Sequence, residues 1–222
     1  MAFDQNRYSS LIQRAAFDAS FYKGTIQDLS SAQRAMSFVG APSWAKCNGL
    51  PILRQNAAGA GAATTGAVAS VINSTQPFWV ECLVSTTTTA AYVFFQQNAG
   101  GWYCFTDPLN TRFLLITVTA ALGNARYLVT VSARLAANRL NHIVAALDPV
   151  SLAGYSWING APNPTTFANI APPVVCAATQ LQVCGAGGLA ARGMIARAWQ
   201  GTPTNEDATC LAAAAESLVG GW

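Results

Sequence analysis

A single histidine, His142, is the first place where this chain could do chemistry. An imidazole oriented by Asp148 or Glu81 would make a general base, and a serine or cysteine would complete a nucleophilic arrangement. Its setting argues for packing instead. The stretch from Leu140 to Leu147 is apolar on both alternating faces, which predicts a strand buried inside a sheet with His142 packed within it. One histidine also cannot build a multi-histidine metal site. The cysteines Cys47, Cys82, Cys104, Cys176, Cys184 and Cys210 contain no C-x-x-C pair. They read as buried free thiols in preference to zinc ligands or disulfides. Gly185-Ala186-Gly187-Gly188-Leu189-Ala190 imitates a dinucleotide fingerprint with Asp207 about twenty residues on. The strand-like run from Met194 to Trp199 leaves no room for a pyrophosphate-holding helix, so a glycine turn is expected there. Six tryptophans, Trp44, Trp79, Trp102, Trp157, Trp199 and Trp222, could stack sugar rings. Most are expected to be core packing, with Trp102 and Trp222 the least committed to it.

The elements that must position these residues are short and closely spaced. Strands are predicted over 17–22, 36–39, 78–85, 91–97, 102–106, 112–120, 126–133, 140–147, 154–158, 181–184 and 194–199, with an edge strand at 165–170. Gly100-Gly101, Asp107-Pro108, Gly123-Asn124 and Asp148-Pro149 separate them as turns. Asn159-Gly160 tolerates the positive φ angles of a type I′ turn. The composition of 57–67, all alanine, glycine and threonine, predicts a flexible loop, and 67–72 one helical turn. Residues 6–16 have helical spacing and form an arm that docks on the domain or a neighbour. A helix over 208–218 is predicted behind a Thr204 cap with Glu206 and Asp207 near its positive end.

Composition narrows the functional classes. The 222 residues are enough for one large β-domain with its own core. Charged residues make up 9%, against roughly 25% in ordinary soluble domains. A surface so poor in charge resists association weakly, which points to an assembly whose subunits cover one another. A net charge of +3 with scattered basic residues does not suit nucleic acid. No basic amphipathic stretch suits a membrane surface, and the apolar runs are too short to span a bilayer. The opening MAFDQNRYSS has an acid and no apolar core, so no signal peptide is read and synthesis in a cytoplasm is expected. Without a secretory route the sequon Asn73-Ser74-Thr75 carries no meaning.

The segment 140–162, LNHIVAALDPVSLAGYSWINGAP, resembles the strand–turn–strand signature of the laminin-G-like, concanavalin-A-like jelly-roll superfamily. Asn141, His142, Ile143, Val144, Ala145, Asp148, Tyr155, Asn159 and Gly160 match it, and Leu140 stands where that family usually has Trp. FDASFYKGTIQDLS at 17–30, with Pro42 and Trp44 beyond it, is similar to the family's opening strand and Asp-Leu-Ser turn. FWVECLVS at 78–85 and the run from Leu181 to Asp207 resemble two further stretches, in the same order. The resemblance implies an all-β fold: a two-sheet antiparallel jelly-roll sandwich over 17–222, with a short N-terminal arm over 1–16 and a short C-terminal helix.

That architecture also hosts glucanases, which resemble one another in an E-x-D-x-E strand that aims carboxylates into one groove. None of the nine acids here stands two residues from another, so no catalytic residue is assigned and no enzyme is expected. Calcium is the ion the resemblance implies, with Asp18, Asp28, Asp107 and Asp148 as candidates. No ligand motif matches, so no metal or other cofactor is assigned, and Asp28 and Asp148 are explained by Asx-type turns. Stand-alone domains of this kind resemble those of phage structural proteins. A non-enzymatic virion structural protein is therefore expected, as a bacteriophage capsid decoration or tail-surface component on the virion surface. Its partners would be other virion subunits and further copies of itself, and termini packed from Met1 to Trp222 would suit such an assembly. The alternative is a carbohydrate-binding lectin or host adhesin that takes a cell-surface glycan, its ligand-binding residues unknown.

Overall fold

A computed structural model describes residues 3–57, 60–69, 71–85, 92–97, 101–106, 112–118, 125–136, 139–169, 179–187 and 192–220. The chain opens with α1 (Gln5–Gln13), capped by the Asp4 carboxylate, which accepts the Arg7 N–H at 2.9 Å. The strands follow as β1 (Phe17–Ser20), β2 (Met36–Val39), β3 (Ser43–Cys47), β4 (Leu50–Arg54), β5 (Gly61–Thr64) and β6 (Phe78–Ser85). Next come β7 (Tyr92–Gln97), β8 (Trp102–Thr106), β9 (Arg112–Val118), β10 (Ala125–Arg134) and β11 (Leu140–Asp148). The chain continues through β12 (Ala153–Ile158), β13 (Ala161–Asn163), β14 (Thr165–Asn169), β15 (Leu181–Gly187) and β16 (Arg192–Gln200), then α2 (Asn205–Val219).

Two antiparallel sheets carry these strands, as the sequence predicts. One runs β13-β12-β11-β6-β16-β4-β3, with β1 sharing one edge of β16 with β4. The other runs β14-β10-β9-β8-β7-β15-β5-β2. Between them lies a core that includes Phe17, Phe21, Phe78, Phe95, Trp102 and Leu147. Cys82 and Cys104 meet there from opposite sheets, free and buried, with their sulfurs 3.9 Å apart. The outer face of the first sheet is covered by α1 and α2, which bury Leu11, Leu211, Ala215 and Val219 against it. The predicted arm therefore docks on its own domain. Helix α2 begins in a reciprocal capping box: Thr204 Oγ1 accepts the Asp207 N–H, and the Asp207 carboxylate accepts the Thr204 N–H.

Turn chemistry follows the sequence closely. Asn159 and Gly160 take φ of +51° and +80° as a type I′ turn requires. A Cβ at Gly160 would stand 3.0 Å from the Ala212 side chain, so glycine also lets α2 approach the turn. Asp148 accepts the Val150 and Ser151 N–H groups at 2.8 and 3.0 Å, as the Asx reading holds.

Several expectations are corrected. The stretch 57–67 is no flexible loop where it is described: β5 is a fully buried strand whose small side chains let it pair with both β2 and β15. No helical turn forms over the described part of 67–72. The Gln97 side chain takes the Val71 N–H and donates to the Ala69 carbonyl, groups a helix would have paired internally. The strand expected over 17–22 stops at Ser20, where Phe21–Lys23 tighten into a 3-10 turn closed by Gly24 at φ +73°. Gly185 to Gly187 belong to β15, past a bulge, and so extend a strand. The rest of that glycine run, Asp107, Cys176, Trp222, the side chain of Cys184, and the turns at Asp107-Pro108 and Gly123-Asn124 lie outside the described residues. The β3–β4 hairpin was not read from the sequence, although Asn48-Gly49, at φ +49° and +81°, carries the same signal as Asn159-Gly160.

Candidate functional site

The strongest cluster of ionisable groups lies on the outer face of the helix-covered sheet. Strand register sets it: Asp18 stands opposite Arg197, Arg197 opposite Glu81, and Glu81 opposite Val144. Ser20 and His142 lie in the neighbouring row. Arg197 donates from Nε to Asp18 at 2.9 Å, from Nη1 to Glu81 at 2.9 Å and from Nη2 to Ser20 at 2.8 Å. His142 Nε2 meets the other Glu81 oxygen at 2.9 Å. Tyr8 of α1 closes the network from above, its hydroxyl accepting from Arg197 at 3.4 Å. Asp28 extends it sideways by accepting the Asp18 N–H and pairing with Arg34 at 2.6 Å.

Burial acts on Glu81, Arg197 and Tyr8. It pushes the Glu81 carboxyl up, but the Arg197 guanidinium and His142 overcome it and hold the group below its ordinary value. Burial would lower the Arg197 pKa, but the charges of Glu81 and Asp18 win and keep it well above its usual value. The Tyr8 hydroxyl, removed from water, is pushed up to about 12 although Arg197 pulls the other way.

Glu81 is therefore the carboxylate that orients His142, one of the two partners weighed from the sequence; Asp148 stays in its exposed turn. Arg197, Asp18, Glu81 and His142 are each at most 1% exposed. The Glu81–His142 pair is buried, and the network of Asp18, Glu81, His142, Arg197 and Tyr8 ties β1, β6, β11, β16 and α1 together. Among the described residues no group of three His, Cys, Asp or Glu side chains could hold a metal ion. Asp18 and Asp28, two of the calcium candidates, are bound to arginines instead.

The open side of the sandwich offers different chemistry. Strand β2 ends one sheet and β3 ends the other, so the short link between them crosses from sheet to sheet at the edge of the sandwich. Asn56 ties that link down, donating to the Ala41 carbonyl and accepting from Ser43. Ala45 and Cys47 pack toward the helix side, so strand alternation turns Trp44 and Lys46 the other way. Met36 packs on the inter-sheet core, and Phe38, two residues on, shares its side.

Trp44 and Phe38 thus converge over buried Phe21, 38% and 41% exposed respectively. Their rings meet at 6.2 Å and 62°, and Trp44 meets Phe21 at 6.3 Å and 64°, so neither phenyl lies flat on the indole. Beside it a cavity of about 340 Å³ is lined by Gly24, Trp44, Ala45, Lys46 and Pro51. The expectation for Trp102 is overturned. It is fully buried between Phe78 and Phe95, because β8 is an interior strand despite the glycine that precedes it. Trp79, Trp157 and Trp199 are buried as predicted, and Trp44 is the exposed tryptophan among the described residues.

No protein-family model matches this chain, and no curated protein matches it by sequence. Solved structures do match. The binding domain of Paraclostridial Mosquitocidal Protein 1 superposes with a TM-score of 0.73 at 12% identity, over 92% of this chain and 53% of that one. The botulinum neurotoxin serotype G binding domain gives 0.69 at 11% identity, over 91% and 51%. The serotype D ligand binding domain, solved in complex with N-acetylneuraminic acid, gives 0.68 at 10% identity, over 94% and 52%. This chain spans about half the length of the structures it matches. At these identities the likeness is one of fold, a two-sheet antiparallel sandwich shared with one half of toxin binding domains.

Proposed function

We propose that this chain is a non-catalytic recognition module, a laminin-G-like jelly roll that takes a glycan at the open edge formed by β2 and β3. The observation that carries this reading is the exposed Trp44–Phe38 pair beside the Trp44 cavity. Ligand pockets combine apolar and aromatic walls with a few convergent polar groups, and an indole free of flat stacking partners can take the C–H face of a sugar ring. The sandwich is shared with domains whose own role is receptor binding, one of them solved with a bound sugar, which supports the same class of function. The burial of the Glu81–His142 pair supports a structural role for it. A glycan array probed with the wild type and with Trp44→Ala tests the reading. Binding to a defined set of glycans, lost in the variant, is expected. No binding by the wild type, or an unchanged pattern in the variant, overturns it.

The module's place is inferred as the surface of a virus particle, as a bacteriophage decoration or tail-surface subunit. The charged fraction of 9% favours it, since neighbouring subunits would cover a surface that charge alone protects poorly. Light scattering of the purified chain, with electron microscopy of any particle that carries it, tests this. Assembled copies on a particle are expected, and a stable monomer absent from particles contradicts it.

A further inference from the structure

We propose that the Trp44 cavity selects carboxylated sugars, an inference that rests on the glycan-binding reading above. The chain carries two lysines, Lys23 and Lys46. Lys46 stands at this cavity, two residues along β3 from Trp44, and Lys23 immediately precedes Gly24, which also lines it. Both are exposed. Lys23 Nζ lies 6.0 Å from the centroid of the Tyr22 ring, and Lys46 makes no ion pair among the described residues.

The acids between residues 17 and 56 are Asp18 and Asp28, both buried and already tied to Arg197 and Arg34. The exposed charge of the segment 17–56 is therefore positive, in a chain whose net charge is only +3. A lysine is a compact charge on a flexible stem, able to meet a carboxylate without the fixed two-point geometry an arginine imposes. The cavity floor is apolar and close: a Cβ at Gly24 would stand 3.7 Å from Pro51 Cγ. At about 340 Å³ it falls at the small end of ligand pockets, roughly 300–1,000 Å³. The arrangement suits one pyranose ring laid on the indole with its carboxylate turned toward Lys46. Attraction of this exposed kind weakens as salt rises.

An NMR titration of the whole chain with N-acetylneuraminic acid, glucuronic acid, glucose and galactose, at low and high salt, tests the selection. The two acids should bind about fivefold tighter than the neutral sugars at low salt, and the gap should close at high salt. Lys46→Gln should lower affinity for the acids by up to about fivefold and leave the neutral sugars unchanged, and Lys23→Gln should have a smaller effect of the same sign. Trp44→Ala should weaken all four. Neutral sugars binding as well as acids, with Trp44→Ala still weakening both, would overturn the selection and leave the glycan platform standing. If the wild type binds none of the four sugars, the selection falls, and the glycan array then decides the platform.

Discussion

Trp79 and Trp199 lie flat on one another, 4.0 Å apart and 8° from parallel, beneath the two helices. Trp44 meets its phenyl neighbours at steep angles on the face of β3 turned away from α2. The residue type is the same and the consequence differs, because sheet position decides what an indole can do. On the covered face Trp199 donates its N–H to the Leu11 carbonyl at 2.8 Å, and Trp157 donates to Asn205 at 3.0 Å. Those rings hold helices to a sheet. At the edge formed by β2 and β3 the indole has flat area to spare and shares its cavity with Lys46. The covered face buries its rings and charges under the helices, and recognition is proposed at the edge formed by β2 and β3.

The comparison breaks first at the buried cluster. Arg197→Met leaves Asp18 and Glu81 buried without their cation and should cost about 3–5 kcal/mol in urea unfolding. A loss within about 1 kcal/mol would mean that these charges do not tie the covered face together. Trp199→Ala removes a stacked, hydrogen-bonded core ring and should also cost about 3–5 kcal/mol. Trp44→Ala should cost much less, below about 1.5 kcal/mol, because a partly exposed ring gives up less burial. Equal losses for the two tryptophans, read from the same unfolding curves, would erase the distinction between the two regions.

Acid sharpens the picture next. The Glu81 carboxyl is held below its ordinary value in the folded chain, so the unfolded chain binds its proton more readily. The stability it contributes is present above its unfolded pKa of about 4.3 and is lost as pH falls through the lower folded value. Glu81→Gln should therefore be less stable at neutral pH and show a flatter decline below about pH 4 in unfolding measured across pH. The smallest effect belongs to the rim of the helix layer. Thr204→Ala removes the α2 cap and should cost about 1 kcal/mol by the same unfolding assay.

The buried cluster was legible in the sequence in a form that is easy to pass over. Asp18 in FDAS, Glu81 in FWVECLVS and Arg197 in the run ending β16 are each a lone charge inside a strongly apolar strand. Three such charges of mixed sign predict a buried network, since none could be buried alone. Strand types and most spans were also readable from alternation and turn residues. What could not be read was strand order. Trp102 beside Gly101 looked peripheral, yet β8 lies inside its sheet; Trp44 looked like one packing residue among six, yet β3 is an edge strand. Edge or centre is fixed by pairings between distant segments, such as β4 with β16, and local composition does not record them.

Hydroxyl-radical footprinting of the chain with and without a bound glycan tests the central claim most directly, because it compares exposed apolar sites in one experiment. Val150, Leu152 and Tyr155 around the β11–β12 turn are 69%, 47% and 41% exposed and serve as the internal control. Ligand should protect Trp44 and Phe38 from oxidation and leave those three residues unchanged. Protection of the β11–β12 turn with Trp44 still oxidised would contradict the assignment of recognition to the open edge.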